Sequence, residues 1–195
     1  MASNEKSQQD TEDKEHPLNS KWILYFHSME DTKNWDLESY AKVYEISTVE
    51  TFWRVFNNIK SDITKGHWFL MRENIKPMWE DPENEHGGAW VFDVKTDNAE
   101  TAMLEASMAT VGERILAEPK ESCSEVTGLS MTMQKSGSRI KIWNRDKNKN
   151  DMKKLNMEIP HLTKSGAIEG CYYKMHKGGR KNYKGRAGGR SGGRR

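Results

Sequence analysis

The chain of 195 residues is long enough for one well-buried domain and too short for two ordinary ones. Its mean hydropathy of −0.95 and its 31% of charged residues predict a modest core, with part of the chain left unpacked. The longest apolar runs fall far below the ~20 residues that cross a bilayer, and the polar N-terminus lacks the apolar stretch of a signal peptide, so we expect no membrane contact and a cytoplasmic location, with the nucleus left open.

The charge is distributed unevenly. Residues 1–15 carry a net charge of −3 and residues 174–195 carry +9, so the residues between them carry −4 of the total of +2. We expect an acidic disordered segment over 1–15, a folded domain over 16–176 and a flexible basic tail over 177–195. If this mildly acidic domain binds nucleic acid, it must do so at a confined site.

Seven segments have the apolar runs or the alternation that predicts strands. In chain order they are Trp22–Phe26, Lys42–Ser47, His67–Met71, Ala89–Val94, Val126–Met133, Arg139–Trp143 and Gly170–Met175. Helices are predicted over Val49–Ile59, about 98–117 and about 146–157. Ser47 and Glu50 fit a capping box for the first helix, and Asp97 with Glu100 opens the second. Because strands outnumber helices and short turns join several neighbours, we expect an α+β domain with helices on one face of an antiparallel sheet.

The seven tryptophans fall into different settings. Trp35 and Trp79 lie in polar loops, where large aromatic residues more often form binding surfaces than core. Those in apolar runs are interpreted as core: Trp22, Trp68, Trp90 and Trp143.

Glu80 directly follows Trp79. A stacking ring beside a carboxylate that accepts two hydrogen bonds suits guanine, whose N1–H and exocyclic amine are parallel donors on one edge. Methylation at N7 makes the base a cation and adds a cation–π contribution of roughly 0.5–2 kcal/mol for each stacking ring. The two rings are therefore expected to distinguish methylated from unmethylated guanine.

Several ordered sequence blocks together form a specific pattern. They are His16-Pro-Leu with Trp22, Thr48-Val-Glu-Thr-Phe-Trp53, Pro77-Met-Trp-Glu-Asp81, Gly87-Gly-Ala-Trp90, Gly112-Glu113 and Ile140-Lys-Ile-Trp143. In this order and spacing, the chain from about His16 to Met175 resembles the eukaryotic initiation factor 4E family of mRNA cap-binding proteins. The resemblance implies a curved antiparallel sheet of about eight strands, with the cap on its concave side and about three helices packed on its convex face.

The resemblance also implies roles for individual residues. Trp35 and Trp79 match the two rings that stack the 7-methylguanine of the cap, Glu80 matches the carboxylate on the guanine edge, and Trp143 would touch the N7-methyl group. A second set matches the docking site for initiation factor 4G-type scaffolds and 4E-binding proteins: His16, Pro17, Val49, Trp53, Leu104, Glu105 and Met108. The periodicity of Leu104 and Met108 by itself favours a core role.

The chain departs from the family pattern where the cap phosphates would bind. Ala89 stands where an arginine is usual, Gln134 replaces the phosphate-binding arginine, and His67 replaces its acidic partner. The phosphate contacts are therefore expected to be weaker or to be rebuilt from Lys135, Arg139 and Lys141.

The basic tail lies outside the usual family pattern. Its Gly-Arg content predicts salt-sensitive contact with the RNA backbone or a simple solubilising role. The arginines expected to contact RNA are Arg180, Arg186, Arg190 and Arg194.

Other functions stay open at this point. The chain matches no phosphate loop, nucleophile elbow or metal-binding histidine pair, so we expect no enzyme, metal or cofactor. Trp79 beside Glu80 and Asp81 could also form a sugar-binding platform with paired carboxylates, as in a glycosidase. Two further alternatives are a cap-binding homologue that regulates particular mRNAs without recruiting initiation factor 4G, and an RNA binder that acts through its tail.

Overall fold

The computed structural model describes residues 15–135, 137–156 and 168–176. The predicted disordered segment, apart from its last residue, and the predicted basic tail, including the four arginines expected to contact RNA, lie outside the described residues. Within these residues, seven strands form one antiparallel sheet: β1 (Pro17–Ser28), β2 (Ala41–Thr48), β3 (Gly66–Arg72), β4 (Gly88–Val94), β5 (Val126–Gln134), β6 (Gly137–Asn144) and β7 (Ile168–Met175). Their order across the sheet is β2-β1-β3-β5-β6-β4-β7.

The two faces of the sheet have different roles. Alternate strand residues such as Trp22, Leu70 and Ile142 point to one face and form the main core with the helices. Residues of opposite parity, such as Phe69 and Trp143, form a smaller buried cluster on the open face. The α+β expectation is therefore confirmed, with seven strands rather than about eight in the described part of the chain.

In the described part of the chain, three α-helices pack on the covered face: α1 (Val49–Ile59), α2 (Ala99–Val111) and α3 (Pro119–Glu125). The predicted capping box is wrong. Ser47 still belongs to β2, and the N-cap of α1 is Thr48, whose hydroxyl accepts a hydrogen bond from the Thr51 N–H at 3.1 Å. Glu50 instead accepts from the backbone N–H of His16 at 2.8 Å.

The second helix is shorter than predicted. It ends at Val111, because Gly112 follows and Glu113 adopts a positive φ of 54° that a helix cannot continue through. Asp97 lies in a separate 3-10 turn ahead of α2 rather than capping it. Helix α3 was not predicted. Its first residue is Pro119, a position that favours proline because no backbone N–H is needed there.

The helix predicted over about 146–157 is also wrong for the residues described there. Only a 3-10 turn, Met152–Lys154, forms. Asp146 accepts from the Asn148 N–H and Asp151 from the Lys153 N–H, so short polar side chains take up backbone groups that a helix would use.

In the part of the chain that the structure describes, no helix is both long enough and apolar enough to span a bilayer.

Candidate nucleotide-binding site

A loop between β3 and β4 presents Trp79 and Glu80. Its backbone is fixed from within by two buried side chains. Asp81 accepts hydrogen bonds from the N–H groups of Lys76, at 3.0 Å, and Glu83, at 2.9 Å. The fully buried Asn84 donates its amide to the carbonyl oxygens of Lys76 and Met78. The loop therefore has a defined shape, and Trp79 is left 43% exposed.

Trp35 packs on His27, a residue that was not among the predicted site residues. Its indole stacks on the imidazole of His27 with ring centroids 4.0 Å apart and planes within 1°. His27 is fully buried, and its Nε2 lies 2.9 Å from the carbonyl oxygen of Asn34, so Nε2 must carry the proton and donate it. The stack and the hydrogen bond together orient the ring of Trp35, which stays 40% exposed.

Trp35 and Trp79 line one recess of about 440 Å³ on the open face of the sheet, which we call the tryptophan recess. Four predicted cap-binding residues share this lining: Trp35, Trp79, Glu80 and Trp143. The other lining residues are Tyr40, Phe69, Pro77, Met78, Thr132 and Lys141. The structure thus brings the stacking and edge-binding candidates together in a largely aromatic site that also contains a carboxylate.

Trp143 is buried, as its apolar surroundings predicted, and yet it also lines the tryptophan recess. Its indole N–H donates to the Ser130 hydroxyl at 2.9 Å, and the His176 ring lies 4.5 Å away. This indole is fixed from both sides, unlike the exposed rings of Trp35 and Trp79.

Charged groups of both signs reach the recess. Burial, with the nearby charge of Glu80, raises the pKa of Tyr40 to about 12, so this phenol stays protonated. Burial lowers the pKa of Lys141 to about 8, helped by the positive charges of Lys174 and Arg139. A ligand that joins a cationic ring to an anionic chain would find complementary groups here.

Two of the three predicted phosphate contacts, Lys135 and Arg139, lie apart from the rings, whereas Lys141 lines the tryptophan recess. Arg139, Lys135 and Gln134 line a separate recess of about 480 Å³. Arg139 donates from Nε to Asp93 at 2.6 Å, which leaves its remaining guanidinium N–H groups for a ligand. Gln134 donates to the Thr132 hydroxyl.

His67, the replacement for the family's acidic residue, forms a hydrogen bond with the backbone. Its Nδ1 accepts the Met133 backbone N–H at 3.0 Å. Burial, followed by the charges of His27 and Lys141, lowers the pKa of His67, so the ring stays neutral and keeps this acceptor.

On the covered face, α1 and the end of α2 form a shallow groove of about 250 Å³, which we call the convex groove. Trp53 lines this groove and is 41% exposed, and Val49 and Met108 are also exposed. Its full lining is Leu18, Val49, Phe52, Trp53, Met108, Val111 and Gly112.

The other predicted docking residues lie around this groove. His16 is tied to Glu50 at the start of α1, and Pro17 pairs with Thr48. Leu104 and Glu105 are partly buried on α2 and do not line the groove.

Comparisons with known proteins agree with this arrangement. The family model described as eukaryotic initiation factor 4E matches residues 17–189. Eukaryotic translation initiation factor 4E of Eremothecium gossypii is 35% identical over 138 residues, which are 67% of this chain and 63% of that protein. Initiation factor 4E-3 of Caenorhabditis elegans is 30% identical over 176 residues, which are 83% of this chain and 67% of that protein. The match thus spans less than two thirds of the first relative's length.

A solved structure extends the comparison to three dimensions. The complex of Caenorhabditis elegans initiation factor 4E-3 with the 4E-binding protein Mextli and a cap analog superposes with a TM-score of 0.71 at 29% identity. The superposition covers 84% of this chain and 94% of that one. With the family model matching most of its length, the chain belongs to the eukaryotic initiation factor 4E family.

Proposed function

We propose that the chain binds the 7-methylguanosine cap of mRNA in the tryptophan recess and recruits translation initiation partners through the convex groove. The observation that carries the first half is the shared recess, in which two exposed indoles, Trp35 and Trp79, accompany the carboxylate of Glu80. The related worm protein was solved with a cap analog and a 4E-binding protein, which supports both halves.

The chemistry follows from the charge of the methylated base. Trp35 and Trp79 offer indole faces to a cationic ring, and each cation–π contact contributes roughly 0.5–2 kcal/mol. Glu80 accepts the guanine N1–H and amine hydrogen atoms, and its negative charge also favours the cation. Unmethylated guanine keeps the hydrogen bonds to Glu80 and loses the cation–π contribution to binding.

Titration of the tryptophan fluorescence with 7-methyl-GTP and GTP tests this reading. Stacking should quench the exposed indoles, and 7-methyl-GTP should bind about 5-fold to several hundred-fold more tightly, since two cation–π contacts amount to roughly 1–4 kcal/mol. Equal dissociation constants for the two nucleotides would remove the basis of the proposal.

The second half of the proposal concerns the convex groove. A solvent-facing indole flanked by Val49 and Met108 suits the anchors of an amphipathic helix, which is how scaffolds of the initiation factor 4G type and 4E-binding proteins would dock. The groove is covered by no described part of the chain, since Trp53, Val49 and Met108 are all exposed.

Trp53→Ala should weaken binding of a 4G-type peptide by about 30-fold or more, because a central aromatic anchor typically contributes at least ~2 kcal/mol. Retention on immobilised 7-methyl-GTP should be unchanged. Val43→Ala, an exposed apolar change on β2, is the matched control and should bind the peptide normally. Wild-type protein that binds the cap but not the peptide would favour the alternative, a homologue that regulates particular mRNAs without recruiting initiation factor 4G.

A further inference from the structure

The tryptophan recess has the features that recognise a planar cation, and a methylated base is only one example of such a group. Trp35 and Trp79 are 40% and 43% exposed and line the same recess as Glu80. Within the described residues, Glu80 accepts no hydrogen bond and pairs with no cation, although Lys141 lines the same recess. Two indole faces and a carboxylate are therefore available together to a flat cationic ligand.

The guanidinium group of arginine has the same recognition chemistry as 7-methylguanine. It is a planar, delocalised cation that stacks on aromatic faces, and its parallel N–H groups match the two oxygens of a carboxylate. The ammonium group of lysine has neither this plane nor this fork of donors. The recess should therefore prefer an arginine side chain to a lysine side chain, with Glu80 accepting the N–H groups of the arginine.

The chain leaves the described structure next to this recess. The last described residue is His176, whose backbone N–H donates to the carbonyl oxygen of Gly87 at 3.1 Å. Its ring lies 4.5 Å from that of Trp143, which lines the tryptophan recess. His176 also lines a neighbouring recess of about 280 Å³ together with Trp79. Whatever follows His176 therefore starts beside two tryptophans of the tryptophan recess.

The sequence after His176 is rich in arginine. Residues 177–195 contain no acidic residue and repeat Gly-Gly-Arg three times. Arg180 is only four residues beyond His176, a separation of at most about 13–14 Å for a fully extended chain, and the later arginines have a longer reach. A short tether of this kind gives an effective concentration of about millimolar. The five arginines are Arg180, Arg186, Arg190, Arg194 and Arg195.

We propose that the tryptophan recess also binds arginine, and that its occupant in the cap-free protein is an arginine of residues 177–195. The arginine and the cap base compete for the same indole faces and the same carboxylate, so only one of them binds at a time. The tail thereby lowers the apparent affinity for the cap by mass action. Binding of arginine needs the recess and the tail but no cap, and it therefore goes beyond the proposed function.

Replacing all five tail arginines with lysine in the full chain tests the competition, because the change keeps the charge of the tail and removes its guanidinium groups. This variant should bind 7-methylguanosine, which has no phosphate to attract the tail, about 3-fold or more tightly than the wild type, since arginines at about millimolar effective concentration no longer compete. Arg54→Lys, an exposed change on α1, is the matched control and should leave this affinity unchanged.

Peptides in solution test the recess directly. Added to the variant with a lysine tail, acetyl-Gly-Gly-Arg-amide should quench the tryptophan fluorescence and raise the apparent dissociation constant of 7-methylguanosine. The matched peptide acetyl-Gly-Gly-Lys-amide should bind more weakly, because its ammonium group cannot stack or form the paired hydrogen bonds. Trp35→Ala in the same variant should remove the effect of the arginine peptide.

The outcomes separate this inference from the proposed function. If the variant with a lysine tail binds 7-methylguanosine no more tightly than the wild type, the inference is wrong, and a tail that serves RNA alone gives this result. It is also wrong if the arginine peptide leaves the fluorescence unchanged. If neither protein binds 7-methylguanosine, the proposed function fails, and the presence or absence of quenching by the arginine peptide that depends on Trp35 still decides whether the recess binds arginine.

Discussion

Glu80→Gln should abolish retention of the protein on immobilised 7-methyl-GTP while leaving its melting temperature unchanged. Glu80 is exposed and makes no hydrogen bond or ion pair within the described residues, so both of its oxygens are available to a ligand. Two charge-assisted hydrogen bonds contribute about 1.5–3 kcal/mol each before desolvation. Glutamine replaces one acceptor with a donor that faces the donors of guanine, so we expect a loss of at least about 100-fold in affinity.

The control is Glu73→Gln, at the start of the same loop. Glu73 lies on the surface near Lys21, and a surface ion pair of this kind contributes little. This variant should bind 7-methyl-GTP like the wild type. If Glu80→Gln bound 7-methyl-GTP with wild-type affinity in a fluorescence titration, the base would be oriented by some other group.

Glu113→Ala should lower the free energy of unfolding by about 3–5 kcal/mol, because it leaves a buried cation without its partner. Arg72 and Glu113 are 9% and 4% exposed, and Nη1 of the arginine donates to Oε1 of the glutamate at 2.7 Å. Arg72 also donates from Nε to the Val126 carbonyl and lies 4.5 Å over the Trp22 ring. Once Glu113 is removed, the guanidinium stays buried among these groups.

For a domain of this size the loss corresponds to a fall in Tm of about 6–20 °C in thermal melts. Glu113→Gln keeps the side-chain length and the positive φ, so it isolates the effect of the charge. Lys65→Ala, which breaks the exposed pair with Asp62, should change stability by less than about 1 kcal/mol. A Glu113→Ala variant as stable as this control would contradict the prediction.

The ion pair between Arg72 and Glu113 should make the free energy of unfolding depend on pH. Burial raises the pKa of Glu113, but the hydrogen bonds from Arg72, Cys123 and Ser20 and the charge of Arg72 outweigh it and hold the pKa below its ordinary value. A depressed pKa adds stability above the ordinary value of a glutamate, and that stability is lost as the pH falls through the folded-state pKa. The difference in stability between wild type and Glu113→Gln should therefore shrink in acid.

The stacking candidates could be predicted because Trp35 and Trp79 lie in polar loops, where large aromatic residues more often form binding surfaces than core. It could not predict His27, since a histidine within an apolar strand looks the same whether it fills space or supports a ring. Lys141 and Lys174 belong together only through the pairing of β6, β4 and β7, which is a long-range property of the sheet.

The errors in the predicted elements have local physical causes. Thr48 rather than Ser47 caps α1, since β2 continues one residue further than its alternation indicated. The segment after Asn144 has enough charged residues for a helix, but the amide of this residue binds the carbonyl oxygens of Asp146 and Lys149 and holds a loop. Such competition between side chain and backbone is invisible to periodicity.

Strand β1 begins at Pro17, next to the groove residue Leu18, and reaches His27, which stacks on Trp35, about 33 Å further along at an ordinary strand rise. The two proposed binding sites therefore lie on opposite sides of one sheet, so a ligand at one site would not block the other. By thermodynamic linkage, any factor by which a docked peptide changes the affinity for the cap is also the factor by which the cap changes the affinity for the peptide.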